Sequence, residues 1–115
     1  MGIIHDCTEL RKLIAENPDL PIVVLASEYA NTGDYGYMYC WNVRCNVELV
    51  LDCETPFRND CVYTDESEFE EDLAEYLADR LPASFPDEEF DKLLKEQLAK
   101  YEPYWKKVIA IWADN

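Results

Sequence analysis

Residues 37–51 alternate. Trp41, Val43, Cys45, Val47, Leu49 and Leu51 share one parity, and Asn42, Arg44, Asn46 and Glu48 share the other. Only an extended strand sends every second side chain to the same face. This stretch therefore commits the chain to a sheet with one apolar and one wet face, the mark of antiparallel pairing. Over residues 65–81 the period changes. Phe69, Leu73, Tyr76, Leu77 and Leu81 recur at helical spacing and make one apolar stripe. A chain that passes from period 2 to period 3.6 without repeating the unit belongs to the α+β class.

The other elements follow from the same signals. Leu10, Leu13 and Ile14 predict a helix over residues 8–16, with Thr8 as its N-cap and Asn17-Pro18 as its stop. Residues 21–27 form a short, continuous, β-branched apolar run, which reads as a strand buried on both faces. It is expected to pair with the 37–51 strand as a hairpin. Residues 61–64 read as a third, short strand after a turn at Pro56 and Asn59-Asp60. Asp65 and Glu68 predict a capping box at the start of the 65–81 helix, which Pro82 ends. A further helix is expected from about Asp87 to Tyr101, with Phe90, Leu93, Leu94, Leu98 and Tyr101 inward. Residues 104–112 are apolar on both parities and read as a last strand. The expected order is α-β-β-β-α-α-β in a single α+β domain over residues 1–115. Its antiparallel sheet has three to four strands packed on two to three helices.

The chemistry-bearing residues are sparse. One histidine, His5, and three glycines leave no catalytic dyad and no phosphate-cradling loop. Carboxylates are too abundant to single out an acid–base pair. Cys7, Cys40, Cys45, Cys53 and Cys61 are odd in number and contain no CxxC spacing, so they read as reduced, buried thiols, not as a disulfide framework or a zinc site. The N-terminal residues have neither a basic region nor an apolar stretch of signal-peptide length, and no run reaches ~20 apolar residues. The expectation is a non-enzymatic cytoplasmic protein, without cofactor or metal.

Charge is the strongest functional signal. Twenty-five acids face ten Lys and Arg, a net of -15. That excludes direct nucleic-acid binding, which needs a basic footprint, and disfavours anionic membrane. The acidity is concentrated: between Asp65 and Asp91 stand twelve acids and one base, Arg80. Glu66 with Glu70, Glu68 with Asp72, Glu71 with Glu75, and Glu75 with Asp79 are like-charge pairs four residues apart. Together they cost a helix roughly 1–2 kcal/mol at low salt. Seven acids over about 21 Å of helix give one charge per ~3 Å, close to the ~3.4 Å spacing of phosphates along one B-DNA strand. Such a row can be a solvated face or a phosphate-like face for a basic groove. The candidate partner-binding residues are Asp65, Glu66, Glu68, Glu70, Glu71, Asp72, Glu75, Asp79, Glu88 and Glu89. Tyr29 and Tyr35 join them from a turn rich in Asn, Gly and Asp, because Tyr offers contact area with a polar tip. Tyr37 and Tyr39 are expected to extend the Trp41 core face.

The stretches 20–26 (LPIVVLA), 36–40 (GYMYC) and 101–110 (YEPYWKKVIA) resemble small proteins carried by phages and mobile elements of bacteria. The acidic α-β-β-β-α-α layout is also similar to that of some anti-CRISPR proteins that mimic DNA. This resemblance implies an inhibitor that occupies the nucleic-acid groove of a basic partner such as a CRISPR effector nuclease. The alternative is a mobile-element adaptor or assembly protein that binds through its sheet face and the Tyr29–Tyr35 turn.

Overall fold

A computed structural model of the chain describes residues 4–27, 36–37, 39–58 and 61–114. The element order is α1 (Thr8–Glu16), β1 (Ile22–Ala26), β2 (Asn42–Leu51), α2 (Glu66–Asp79), α3 (Asp87–Tyr101), a 3₁₀ turn (Glu102–Tyr104) and β3 (Trp105–Asp114). The class is α+β, as expected. The residues gather into two compact units: Met1–Glu48 with Lys107–Asn115, and Leu49–Lys106.

In the first unit, the N-cap of α1 is Cys7 and not the expected Thr8, and its side chain makes no capping bond. Thr8 is the first helical residue, and the exposed Asp6 carboxylate accepts from the Thr8 hydroxyl at 2.7 Å and from its backbone N–H at 3.0 Å. Those bonds hold the Asp6 carboxyl below the usual carboxylate range, the hydroxyl contributing most. Asn17 ends the helix, its side-chain amide donating to the Leu13 carbonyl at 3.1 Å.

The sheet departs from the expected topology. Its strand order is β1-β3-β2, and it is mixed, because β1 runs parallel to β3 with Ile22 opposite Ile109 and Leu25 opposite Trp112. The expected β1–β2 hairpin does not form. Residues 27–41 lie between these strands, far more than the two to five residues that favour a hairpin. The last strand takes the centre. Val108, Ile109 and Ala110 are buried, consistent with an apolar run on both parities. β1 has the same character but lies at an edge, so the expectation of burial on both faces is corrected. It alternates, with Ile22 and Val24 50% and 65% exposed.

The faces of the sheet can be assigned from Trp112. Its indole N–H donates to the Asn46 side-chain oxygen at 2.6 Å, and the Arg44 guanidinium lies 4.5 Å from the ring centroid. Arg44, Asn46, Trp112, Val23 and Leu25 therefore share one face. Val43, Cys45, Val47, Ile22, Val24, Ile109 and Ile111 share the other, by alternation and register. The expected core stripe of the 37–51 stretch is wet at its start. Tyr37 is almost wholly exposed, and Tyr39 and Trp41 are about half exposed, with their rings edge to face at 4.9 Å. They do not extend a core.

In the second unit, Leu51, Tyr63, Phe69 and Leu73 form the buried core, with Phe57, Leu77, Leu94, Leu98, Tyr101 and Trp105 packed around it. The expected third strand is absent: residues 61–64 are extended coil, tied by the Leu51 N–H to the Tyr63 carbonyl at 3.0 Å. Phe69 is the hub. Its ring meets those of Tyr63, Tyr101 and Trp105 at centroid distances of 5.2, 5.0 and 5.9 Å in edge-to-face geometry, the favoured arrangement of ring quadrupoles. Of the cysteines, Cys7, Cys40, Cys45 and Cys53 are half-buried and Cys61 is exposed, so the expectation of buried thiols is too strong. No helix is long and apolar enough to cross a membrane among the described residues.

Truncating the hub should cost far more than truncating a half-buried helix residue. Phe69→Ala should lower stability by about 3–5 kcal/mol, and Leu10→Ala on α1 by about 1 kcal/mol. Urea denaturation followed by circular dichroism measures both, and equal losses would contradict the packing.

Candidate functional site

The acidic helix is fixed in rotation before its charges are considered. Phe69 and Leu73, four residues apart, are both buried, and Tyr76 and Leu77 are half-buried beside them. The acids take what remains of the surface. Glu66, Glu68, Glu70, Glu71, Glu75 and Asp79 are exposed and Asp72 is half-buried. They do not form one row. Glu68, Asp72, Glu75 and Asp79 follow at steps of four, three and four residues, a single stripe that Glu71 borders. Glu66 and Glu70 lie on the opposite flank of the apolar face.

Asp65 is not a free acid. It is the N-cap of α2, and its carboxylate accepts from the backbone N–H groups of Ser67 and Glu68 at 2.8 and 3.4 Å. Only this half of the expected capping box is made, since the Glu68 carboxylate turns to Arg58. Glu88 and Glu89 are exposed in the first turn of α3, where negative charge offsets the helix dipole. Tyr29 and Tyr35 lie outside the described residues.

Arg58 is the residue that the sequence did not single out. Its guanidinium meets Glu68 at 2.9 Å and Asp72 at 3.4 Å, and lies 4.5 Å from the centroid of the Tyr63 ring. The hydrogen bond to Glu68 raises its already high pKa. Thr55, buried, fixes the turn that presents it: the Thr55 hydroxyl donates to the Arg58 carbonyl at 3.0 Å and accepts the Arg58 N–H at 3.2 Å. The Tyr63 hydroxyl donates to Asp72 at 2.5 Å. Asp72 therefore joins core and surface, because Tyr63 is buried and Arg58 is partly exposed. The Arg80 guanidinium lies 3.7 Å from the centroid of the Tyr76 ring.

Phe57, Arg58, Asp72, Glu75, Tyr76 and Asp79 line an open cavity of about 310 Å³. Three carboxylates of the stripe and two rings face it, with one guanidinium at the rim. The three carboxylates and the ring faces make this lining attractive to positive charge. Among the described residues no three His, Cys, Asp or Glu side chains gather as a metal cluster.

The stripe keeps most of its charge. From Glu68 to Asp79 it holds five acids, and Arg58 offsets one. That leaves four charges over about 17 Å, or one per ~4 Å, against ~3.4 Å for one strand of B-DNA. The whole Leu49–Lys106 unit carries seventeen acids and six bases, a net of -11, and the remainder of the chain eight and four. No protein-family model, curated protein or solved structure matches the chain.

Burial, aided by the hydrogen bond to Asp72, pushes the Tyr63 hydroxyl well above its ordinary pKa, and burial does the same to Tyr101. A tyrosine whose folded pKa exceeds its unfolded value of about 10 holds its stabilisation below that pH and loses it as pH rises toward the folded value. Stability should therefore fall steeply above about pH 10. Tyr63→Phe should flatten that fall while costing about 1–3 kcal/mol at neutral pH, since Asp72 loses a donor. Urea melts at neutral and alkaline pH, beside a spectrophotometric tyrosine titration, measure both effects.

Proposed function

We propose that this protein is a non-enzymatic acidic binding protein that occupies the nucleic-acid-binding groove of a basic partner. The α2 stripe is the centre of the contact. The observation that supports it most is the run of exposed carboxylates at Glu71, Glu75 and Asp79, which no described Lys or Arg meets, on a helix whose other face is buried. A helix serving stability alone gains by placing Lys at such positions, as α3 does with Lys92, Lys95 and Lys100. The layout resemblance suggests a CRISPR effector nuclease as the partner, in the manner of an anti-CRISPR DNA mimic. Steering by a net charge of -11 on one unit gives fast, salt-sensitive association.

A second reading is a mobile-element adaptor that binds through its sheet face. The half-exposed Ile22, Val24, Trp41 and Val43 favour it. The two differ in the sign and size of their salt dependence.

The measurement is binding of the purified protein to a guide-loaded, cleavage-inactive CRISPR effector nuclease, with and without competing duplex DNA. Affinity should fall roughly tenfold or more between about 50 and about 200 mM salt, and DNA should displace the protein. The triple variant Glu71→Gln, Glu75→Gln, Asp79→Asn should weaken binding by roughly tenfold or more, while Glu88→Gln with Glu89→Gln should change it less. Salt-independent binding, or an unaffected triple variant, would leave the acidic stripe without this role.

A further inference from the structure

We propose that Arg58 is an internal stand-in for a partner's cations. Its guanidinium holds Glu68 and Asp72 until a row of positive charge displaces it. The proposal rests on the reading of the α2 stripe as the contact for a basic partner, and it adds a device that regulates that contact. The observation that carries it is the unequal anchoring of Arg58. Its backbone is fixed, because Thr55 and Arg58 form an isolated antiparallel bridge and the Thr55 hydroxyl bonds both the Arg58 carbonyl and the Arg58 N–H. Its side chain is held less firmly. The guanidinium meets its carboxylates at the surface, with the Arg58 and Glu68 side chains 35% and 49% exposed. An ion pair so exposed is weak, because water competes for both charges. The guanidinium can leave while the turn that carries it stays.

Its departure strands nothing. The half-buried Asp72 keeps the hydrogen bond that the Tyr63 hydroxyl donates. Glu68 is exposed and is free to turn to water or to an arriving cation. Tyr63 loses the guanidinium beside its ring, but the ring stays buried against Phe69. Breaking an ion pair is costly when it leaves a buried charge without a partner. Here the second donor to Asp72 removes that cost.

The arrangement selects what can displace Arg58. Among the residues lining the cavity with Asp72, Glu75 and Asp79, Arg58 is the base, and it repels a cation that approaches Asp72. A single free cation must compete with a tethered guanidinium, whose effective concentration is high. A row of cations does not face that contest alone at each site. Its other charges are held by Glu71, Glu75 and Asp79, which no described Lys or Arg meets, so the charge that reaches Asp72 is tethered as well. Arg58 therefore sets a threshold: dense arrays of positive charge open the whole stripe, and isolated cations do not.

The test uses the full chain with two probes, hexalysine and free lysine at equal total charge. The Nε–H signal of Arg58, assigned by its loss in Arg58→Lys, is followed by heteronuclear NMR at low salt. Hexalysine should move it to the position of an unpaired arginine, and free lysine should leave it in place. Arg58→Gln should bind hexalysine roughly threefold to fivefold more tightly than the unaltered chain. Lys95→Gln, which removes the same charge from an exposed site on α3, should change binding by less than about twofold. Circular dichroism verifies that the variants are folded, and the NMR signal of the unaltered chain decides the matter whether they fold or not. The inference is overturned if hexalysine leaves the Arg58 signal unmoved, if free lysine moves it equally, or if folded Arg58→Gln binds no more tightly than Lys95→Gln. Displacement by hexalysine in a protein that no guide-loaded nuclease binds supports this inference and removes the partner proposed above.

Discussion

Phe69 and Leu73 set the rotation of α2, and the placing of its carboxylates follows from that rotation. Two buried side chains one turn apart leave a helix one way to sit. Burying a Phe and a Leu contributes several kcal/mol. Four like-charge pairs oppose helix formation by about 1–2 kcal/mol. The apolar term wins, so the carboxylates are held in place although they repel one another. Repulsion that a core overrides leaves the backbone that carries these acids already ordered.

Arg58 limits that array instead of abolishing it. It meets Glu68 and Asp72, the acids nearest the aromatic core, where Tyr63 also donates to Asp72. A half-buried carboxylate needs partners, since leaving it unsatisfied costs more than any surface repulsion. Glu71, Glu75 and Asp79 are exposed, so stability does not require the same help there. Arg58 thus serves the half-buried Asp72 together with the exposed Glu68, and Glu71, Glu75 and Asp79 stay exposed beside them. This pair contributes little to the fold on its own account, because exposed ion pairs are worth ~1 kcal/mol or less.

What the sequence made legible was local. The three helices lie where periodicity and proline put them: Pro18 follows α1, Pro82 follows α2, and Asp87–Tyr101 has the expected bounds. The alternation over 37–51 identified a strand, which begins five residues later than expected, at Asn42. What stayed hidden was non-local. β1 and β3 are both apolar on both parities, and composition cannot say which one takes the centre of a sheet. Pairing in parallel across most of the chain also leaves no mark at short range. The period-2 stripe could not reveal that Trp41 and Val43 remain partly open, because burial depends on what covers a face. In the site, the carboxylates were visible as a run. Arg58 was not, because it stands ten positions before Glu68 and outside the helix, and no fixed spacing links a loop guanidinium to a helix.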